Sequence, residues 1–473
     1  MSKGVRSRFY ADIMSFHQEV TGSCNLVVVK YPNGETSKFM VDCGLFQEDG
    51  YYDNNKKMIC RPENLDFVLI THNHIDHTGR LPFLVKKGYS GLIYMTSTTK
   101  SLIGLALTDS CHVLEDLACR KNEKPLYTPV DVAHTLEKIV PCNYQEKIRI
   151  TSNITATFFK NGHLLGAAMI LVTISYEGCS DINILFTGDY NQKNMFFEVE
   201  ELPEEVKNLP LTVVQESTYG YTDSTKIEST FENNVSRAVN EGKTIIVPVF
   251  SLGRAQEILY VVKKMQEKEK IPLSVPIYLD GKLAVHYTEL YLTKKFGIKE
   301  EMRDFLPDNF QYADKTMRPT LLTDSNCKII LTTSGMGSYG PAQVYIPAYL
   351  PNKKALIHFT GYTAEGTLGR KLKDTAPGDT IQVFGLMLVK KAEVEYTAEY
   401  SAHAKADEMI EFLKQFTNLR MVLVNHGQSA VKETFANRIM NEVAPRNVGI
   451  LGNGYLFRVD TYGLIKTMGT KFE

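Results

Sequence analysis

Nowhere in the 473 residues does an apolar run approach the ~18 needed to cross a bilayer. The opening stretch, Met1-Ser2-Lys3-Gly4-Val5-Arg6-Ser7-Arg8, runs into Phe9-Tyr10-Ala11-Asp12 without the apolar core of a secretory signal. A cytoplasmic address and no membrane partner are therefore expected. The eight cysteines include no C-x-x-C pair and no dense spacing, which argues against a disulfide framework and a zinc finger. Cys24, Cys43 and Cys327 lie in apolar stretches and are expected as small core residues. An excess of either charge is lacking too: 53 basic residues face 54 acidic ones, for a net charge of −1. No global basic field points to nucleic acid, so any such partner must be met by local charge. The basic pairs Lys263-Lys264, Lys294-Lys295, Lys353-Lys354 and Lys390-Lys391 are expected on solvated faces, and the acidic stretch 198–205 as an exposed linker.

What is present is an ordinary globular composition, 43% hydrophobic and 23% charged, on a chain long enough for two cores. Apolar runs at 25–30 and 38–42 flank Tyr31-Pro32-Asn33-Gly34, a hairpin pattern. Leu65-Asp66-Phe67-Val68-Leu69-Ile70-Thr71 reads as a buried strand entering a polar loop, with a helix beginning at Thr78. Further strands are expected at 154–159, 169–175 and 183–187. After Tyr219-Gly220 one unit recurs: apolar strand, glycine-containing loop, helix, with strands at 244–250, 276–279, 328–332 and 355–359. That alternation predicts a parallel α/β sheet whose strand-end loops line a ligand crevice. The last 75 or so residues return to single short strands, at 420–425 and 448–451.

The chemistry is concentrated in Thr71-His72-Asn73-His74-Ile75-Asp76-His77-Thr78-Gly79, where three histidines and an aspartate follow a strand within six residues. A solvated polar loop accounts for one such histidine, but not for H-x-H-x-D-H; imidazole and carboxylate together suit a divalent ion, zinc above all. One loop cannot supply two ions. Three further candidates occupy strand ends: His163 in Lys160-Asn161-Gly162-His163, Asp189 in Phe186-Thr187-Gly188-Asp189, and His426 after Met421-Val422-Leu423-Val424-Asn425. Each alone is equally a satisfied polar residue at a strand terminus.

These motifs, in this order, resemble the β-CASP family of metallo-β-lactamase-fold RNA nucleases. The resemblance extends over the chain through Asp42 in Val41-Asp42-Cys43-Gly44, Glu216 in Gln215-Glu216-Ser217-Thr218-Tyr219-Gly220, His403 in Tyr400-Ser401-Ala402-His403-Ala404, and Asn425-His426-Gly427. The stretches 248–257 and 361–370, the latter including Tyr362, Ala364 and Glu365, also match family blocks. The resemblance implies an αββα sandwich, residues 1–218 and 396–473, interrupted by an inserted parallel α/β domain at 219–395. It implies two zinc ions: His72, His74 and His163 on one, Asp76, His77 and His426 on the other, Asp189 bridging, and Asp42 orienting a ligand or the attacking water. His403 is then the general acid at the leaving group, steered by Glu216. Ser251, Gly253 and Arg254, with Ser334 and Gly335, are expected to touch RNA phosphates; ordinary helix capping with a surface arginine is the alternative. The implied substrate is single-stranded RNA, cut endonucleolytically with 5′-exonuclease action as a second mode, leaving 5′-phosphate and 3′-hydroxyl ends; a homodimer is left open. The segment Phe16-His17-Gln18-Glu19-Val20-Thr21-Gly22-Ser23 departs from the family in lacking the small Gly/Ala residues often seen before Glu-Val-Thr-Gly, and His17 is expected at the surface or behind a ligand. Two other readings use the same residues: a lactamase-fold hydrolase of a small ester, thioester or other phosphodiester, and a catalytically silent RNA-binding or scaffold subunit.

Overall fold

The computed structural model describes residues 9–460 and 467–469, apart from 18, 227–228, 294–296, 362, 364–365, 398 and 453. The pair Lys294-Lys295 and the motif residues Tyr362, Ala364 and Glu365 lie outside the described residues.

Period-2 alternation builds the first unit. In Asn25–Lys30, Val27 and Val29 face one core while Leu26 joins another; in Thr36–Val41, Phe39 and Val41 oppose Met40 in the same way. The resulting eight-stranded sheet runs in the order Thr467–Gly469, Tyr455–Asp460, Tyr10–Ser15, Asn25–Lys30, Thr36–Val41, Phe67–Leu69, Leu92–Thr96, Ile139–Cys142. A seven-stranded sheet follows Asn447–Ile450, Leu419–Asn425, Leu211–Glu216, Ile182–Phe186, Ala168–Ile174, Ile154–Lys160, Ile148–Arg149. Ile170, Val172, Ile184, Phe186 and Leu423 from the second sheet close on Val27, Phe39 and Leu69 from the first. The opposite faces are covered by helices, so strands such as Ile182–Phe186 are buried at every position, with Asn183 the polar exception to an apolar run. Helices α1 (Ile75–Thr78), α2 (Leu81–Lys86) and α3 (Ser97–Lys121) follow the first sheet's strands. α3 buries Ile103, Leu107, Cys111 and Leu114 at helical spacing against that sheet. The helices Ala406–Lys414 and Ser429–Glu442 cover the second sheet through Met409, Leu413, Phe435 and Ile439. The result is a helix–sheet–sheet–helix sandwich.

The second unit has one parallel sheet, Phe310–Ala313, Ile277–Asp280, Lys328–Thr332, Thr244–Pro248, Ala355–Phe359, Glu393–Tyr396, with strand–loop–helix connections. The chain divides into two compact units, Met1–Ser224 with His403–Glu473, and Thr225–Ala402. Among the described residues no helix is long and apolar enough to cross a membrane.

Several expectations are corrected. The helix does not wait for Thr78: α1 opens at Ile75 and carries Asp76 and His77, so the metal-type motif spans a loop and a helical turn. The acidic stretch is no free linker, since Lys160 Nζ meets Glu198 at 2.8 Å and Glu200 at 3.3 Å, Leu202 is buried, and Glu204–Lys207 is helical. Lys390 is buried and its ammonium donates to the Leu372 and Thr375 carbonyls, at the end of the helix Leu368–Asp374. Cys24 and Cys43 are buried, Cys327 half-buried. His17 is fully buried, which excludes the surface position.

Candidate metal centre

Strand ends gather the polar residues. Asp42 follows Thr36–Val41, His72 and His74 follow Phe67–Leu69, His163 follows Ile154–Lys160, Asp189 follows Ile182–Phe186, and His426 follows Leu419–Asn425. Two turns are bent to do this: Asp42 and His426 both hold positive φ, 63° and 45°, where residues other than glycine are strained. Gly44 passes directly beneath α1, and a Cβ there would lie 1.5 Å from the Asp76 carbonyl oxygen.

Two ligand sets result. In the first, His74 Nδ1 lies 3.2 Å from His72 Nε2 and 3.1 Å from His163 Nε2. Asp189 Oδ2 stands 3.7 Å from His72 Nε2 and 3.8 Å from His163 Nε2. In the second, His77 Nε2 is 3.1 Å from His426 Nε2, 3.2 Å from Asp189 Oδ2 and 3.9 Å from Asp76 Oδ2. The same Asp189 oxygen belongs to both sets. Ligand atoms ~2.0–2.1 Å from a tetrahedral zinc are about 3.3–3.4 Å apart, close to the spacings of these nitrogens.

The surrounding bonds fit a cation. Asp42 Oδ2 takes His77 Nδ1 at 2.8 Å, and Thr71 Oγ1, itself 2.9 Å from Asp42 Oδ2, faces His72 Nδ1 at 3.0 Å. Those contacts leave both Nε2 lone pairs directed at the cluster. Burial alone lowers His77, but Asp189 and Asp42 outweigh it and hold the ring well above its ordinary value. Burial instead drives His72 well down and His74 to about 4, the neutral form a metal ligand needs. Asp189, 2% exposed, has an Oδ1 that accepts no hydrogen bond. The site thus offers imidazoles, those of His72 and His74 held neutral, and carboxylates around a common point, and the residues present fit divalent metal.

Beside it, His403 Nδ1 lies 3.0 and 3.1 Å from the two Glu216 oxygens. Glu216 is itself held by the backbone N–H groups of Tyr190, at 2.9 Å, and Thr218, at 3.3 Å. Burial opposes charge on His403, but Glu216 outweighs it and raises the ring. Asp189, Glu216 and His403 form a third close group.

In the second unit, Ser251, Gly253 and Arg254 follow Thr244–Pro248, and Ser334 and Gly335 follow Lys328–Thr332, two adjacent strands of the parallel sheet. Arg254 opens the helix Arg254–Glu267 but is only 7% exposed, so it is no surface arginine. Its Nη1 is 3.0 Å from Glu257 Oε2, and its Nε and Nη1 make no hydrogen bond. Ser334 Oγ accepts from Tyr339 N at 3.1 Å, and Gly335 packs where a Cβ would strike Phe250.

Sequence reasoning missed three supporting groups. Thr71 is described above; Thr218 Oγ1 lies 3.1 Å from His426 Nδ1. Glu19 caps the helix Ser429–Glu442, accepting from Ser429 N at 3.1 Å and Oγ at 2.9 Å, while its carbonyl accepts from Gly427 N at 3.2 Å. No local pattern joins Glu19 to a helix 410 residues away.

Comparison with known proteins places three family models on the chain: a metallo-β-lactamase superfamily domain at 33–219, a Beta-Casp domain at 255–372, and a Zn-dependent metallo-hydrolase RNA specificity domain at 388–448. The chain is 31% identical to transcription termination factor FttA of Methanocaldococcus jannaschii, over 89% of this chain and 67% of that protein. It is 29% identical to an RNase J-like protein of the same organism, over 90% and 95%. It is 28% identical to Integrator complex subunit 11 of Danio rerio, over 90% and 70%.

Proposed function

Because the chain belongs to the β-CASP family of the metallo-β-lactamase superfamily, a family of metal-dependent hydrolases, we propose that it cleaves RNA with two zinc ions as cofactors. The observation that carries this reading is the shared Asp189 oxygen between two ligand sets, with the Glu216–His403 pair alongside. His72, His74 and His163 would hold one ion, Asp76, His77 and His426 the other, and Asp189 would serve both. Bound there, the ions supply Lewis acidity, polarising phosphoryl oxygens and lowering the pKa of water. Asp42 keeps His77 oriented and adds negative charge behind it. Glu216 holds the His403 Nδ1 proton, which directs Nε2 to the substrate; from Nε2 a proton passes to the departing 3′ oxygen. A water molecule adds to phosphorus as the bond from phosphorus to the 3′ oxygen breaks, so the products carry 5′-phosphate and 3′-hydroxyl ends.

The RNA specificity match at 388–448 and the RNase J-like relative support RNA over a small ester. The second unit's strand-end loops with Ser251, Gly253, Arg254, Ser334 and Gly335 take phosphates, and Arg254 Nε, which makes no hydrogen bond, suits an anion. The test is purified protein on end-labelled structured and unstructured RNAs, with and without chelator. Endonucleolytic products with 5′-phosphates, abolished by chelator and restored by zinc, are expected; an intact RNA with zinc-saturated protein would overturn the reading.

A further inference from the structure

A cavity of about 270 Å³ opens in the first unit between α2, α3, the 3-10 helix Asp49–Lys56 and the segment 123–126. It is remote from the ligands along α3. The helix's first turn joins the His163 loop, since Thr96 and Thr99 hydroxyls donate to the Gly166 carbonyl at 2.7 and 2.8 Å. The cavity uses α3 residues Leu114 to Lys121, which at 1.5 Å per residue lie about 25–35 Å further on.

Its lining has two characters. Phe83, Leu114, Leu117, Ala118 and Leu126 make an apolar floor. Around them stand Lys56, Lys86, Lys87, Lys121 and Lys124, and among the described lining residues the carboxylate is Glu123, paired with Lys56 at 2.9 Å. Lys86 Nζ donates to the Leu126 carbonyl at 2.9 Å and braces one wall. In a chain whose charges balance, five lysines around one apolar hollow are a local excess.

We propose that this cavity docks a peptide segment of a partner protein, an apolar side chain filling the floor with carboxylates flanking it on the lysines. Charge complementarity and the apolar floor select that occupant over RNA. Single-stranded nucleic acid needs open ring faces for stacking. Here Lys87 Nζ sits 5.2 Å from the Phe83 ring centroid and Lys121 Nζ 4.7 Å from that of Tyr52, so ammonium groups already cover both rings. A central apolar anchor in a desolvated hollow, rimmed by charge, is the usual make-up of a binding hot spot. The inference stands whether or not the metal centre cleaves RNA.

The experiment uses the full chain and a fluorescein-labelled, end-capped nonapeptide with a central leucine–phenylalanine pair between aspartates and glutamates, read by fluorescence polarisation. Saturable binding is expected. It should weaken at least about tenfold on replacing the peptide's anchor pair by serines, in Leu117→Asp, and in the Lys121→Glu/Lys124→Glu double variant. The double variant changes exposed side chains alone, so it remains informative if Leu117→Asp unfolds; its zinc content should match wild type. No binding at about 1 mM peptide, the weak end of specific recognition, would overturn the proposal. So would equal binding by the double variant, or a short single-stranded RNA that binds this face, lost in the double variant, while the peptide does not.

Discussion

His403 and Asp189 are neighbours to which the proposed mechanism gives different duties, and substitution should separate them. On the proposed mechanism His403→Ala removes a proton donor that belongs to neither ligand set, so metal analysis should find both ions and RNA should bind nearly as before, while cleavage slows roughly 10²–10⁴-fold. Asp189→Ala removes the oxygen common to both sets, and the protein should be isolated short of metal as well as inactive. A zinc-depleted His403→Ala, or one cutting at the wild-type rate, would assign that ring another role. A second histidine makes a prediction of another kind. His358 is fully buried in the second unit, its Nε2 3.4 Å from Asn234 Nδ2 and its ring against Phe231. Burial pushes it down to about 4, against weaker upward pulls from the Phe359 carbonyl and Glu393. The unfolded chain, with the ordinary value near 6.5, takes the proton first. This contribution to stability is therefore complete above about pH 6.5 and is lost as the pH falls toward 4, on the order of 3 kcal/mol in all. Amide exchange of Ala355–Phe359 should quicken across that window in wild type, and the dependence should flatten in His358→Asn. The histidines of the 72–77 run were legible because their types and spacing have few other uses; His358 was not, since nothing in an apolar strand marks which polar residue is enclosed.

Single elements hold the ligand loops in register. α3 starts at Thr96, whose hydroxyl accepts from Thr99 N at 3.1 Å and donates to the Gly166 carbonyl in the His163 loop. Thr96→Ala should cost about 1–2 kcal/mol from the lost cap, while Thr96→Ser should recover most of it in a thermal melt. If zinc affinity falls in the alanine variant and returns with serine, the cap positions His163 as well as the helix; an unmoved melting temperature would mean the cap carries nothing. Strands were readable from sequence because alternation at Asn25–Lys30 and continuous burial at Ile182–Phe186 each leave a pattern. α1 was not, because a four-residue helix is too short for any periodicity. The pairing of Glu198 and Glu200 with Lys160 was hidden for a different reason: charge runs look alike whether solvated or paired, and the partner is about 40 residues away.

Across the whole molecule, metal and folding should be linked. Two zinc ions per chain are expected by elemental analysis. Chelation should lower thermal stability, since a ligand held at a hundredfold over its dissociation constant contributes about 2.7 kcal/mol. Exchange should quicken at 71–79 and 426–429 on metal removal and stay level in Lys328–Thr332, which carries no ligand; equal quickening in that strand would contradict a local role. The order of motifs along the chain, and the change to strand–loop–helix units, were legible at this scale, whereas which strands neighbour which was not. Leu211–Glu216 lies beside Leu419–Asn425, and Tyr10–Ser15 beside Tyr455–Asp460, pairings that no sequence distance suggests. That interleaving has a consequence for synthesis. Asp189 leaves the ribosome 237 residues before His426, an interval of about 12–47 s at 5–20 residues per second. Throughout it the second ligand set lacks a corner and the second sheet lacks an interior strand. On the proposed activity, the nascent chain is a nuclease without a finished blade, and the message being translated is beyond its reach until Leu419–Asn425 and His426 have been made.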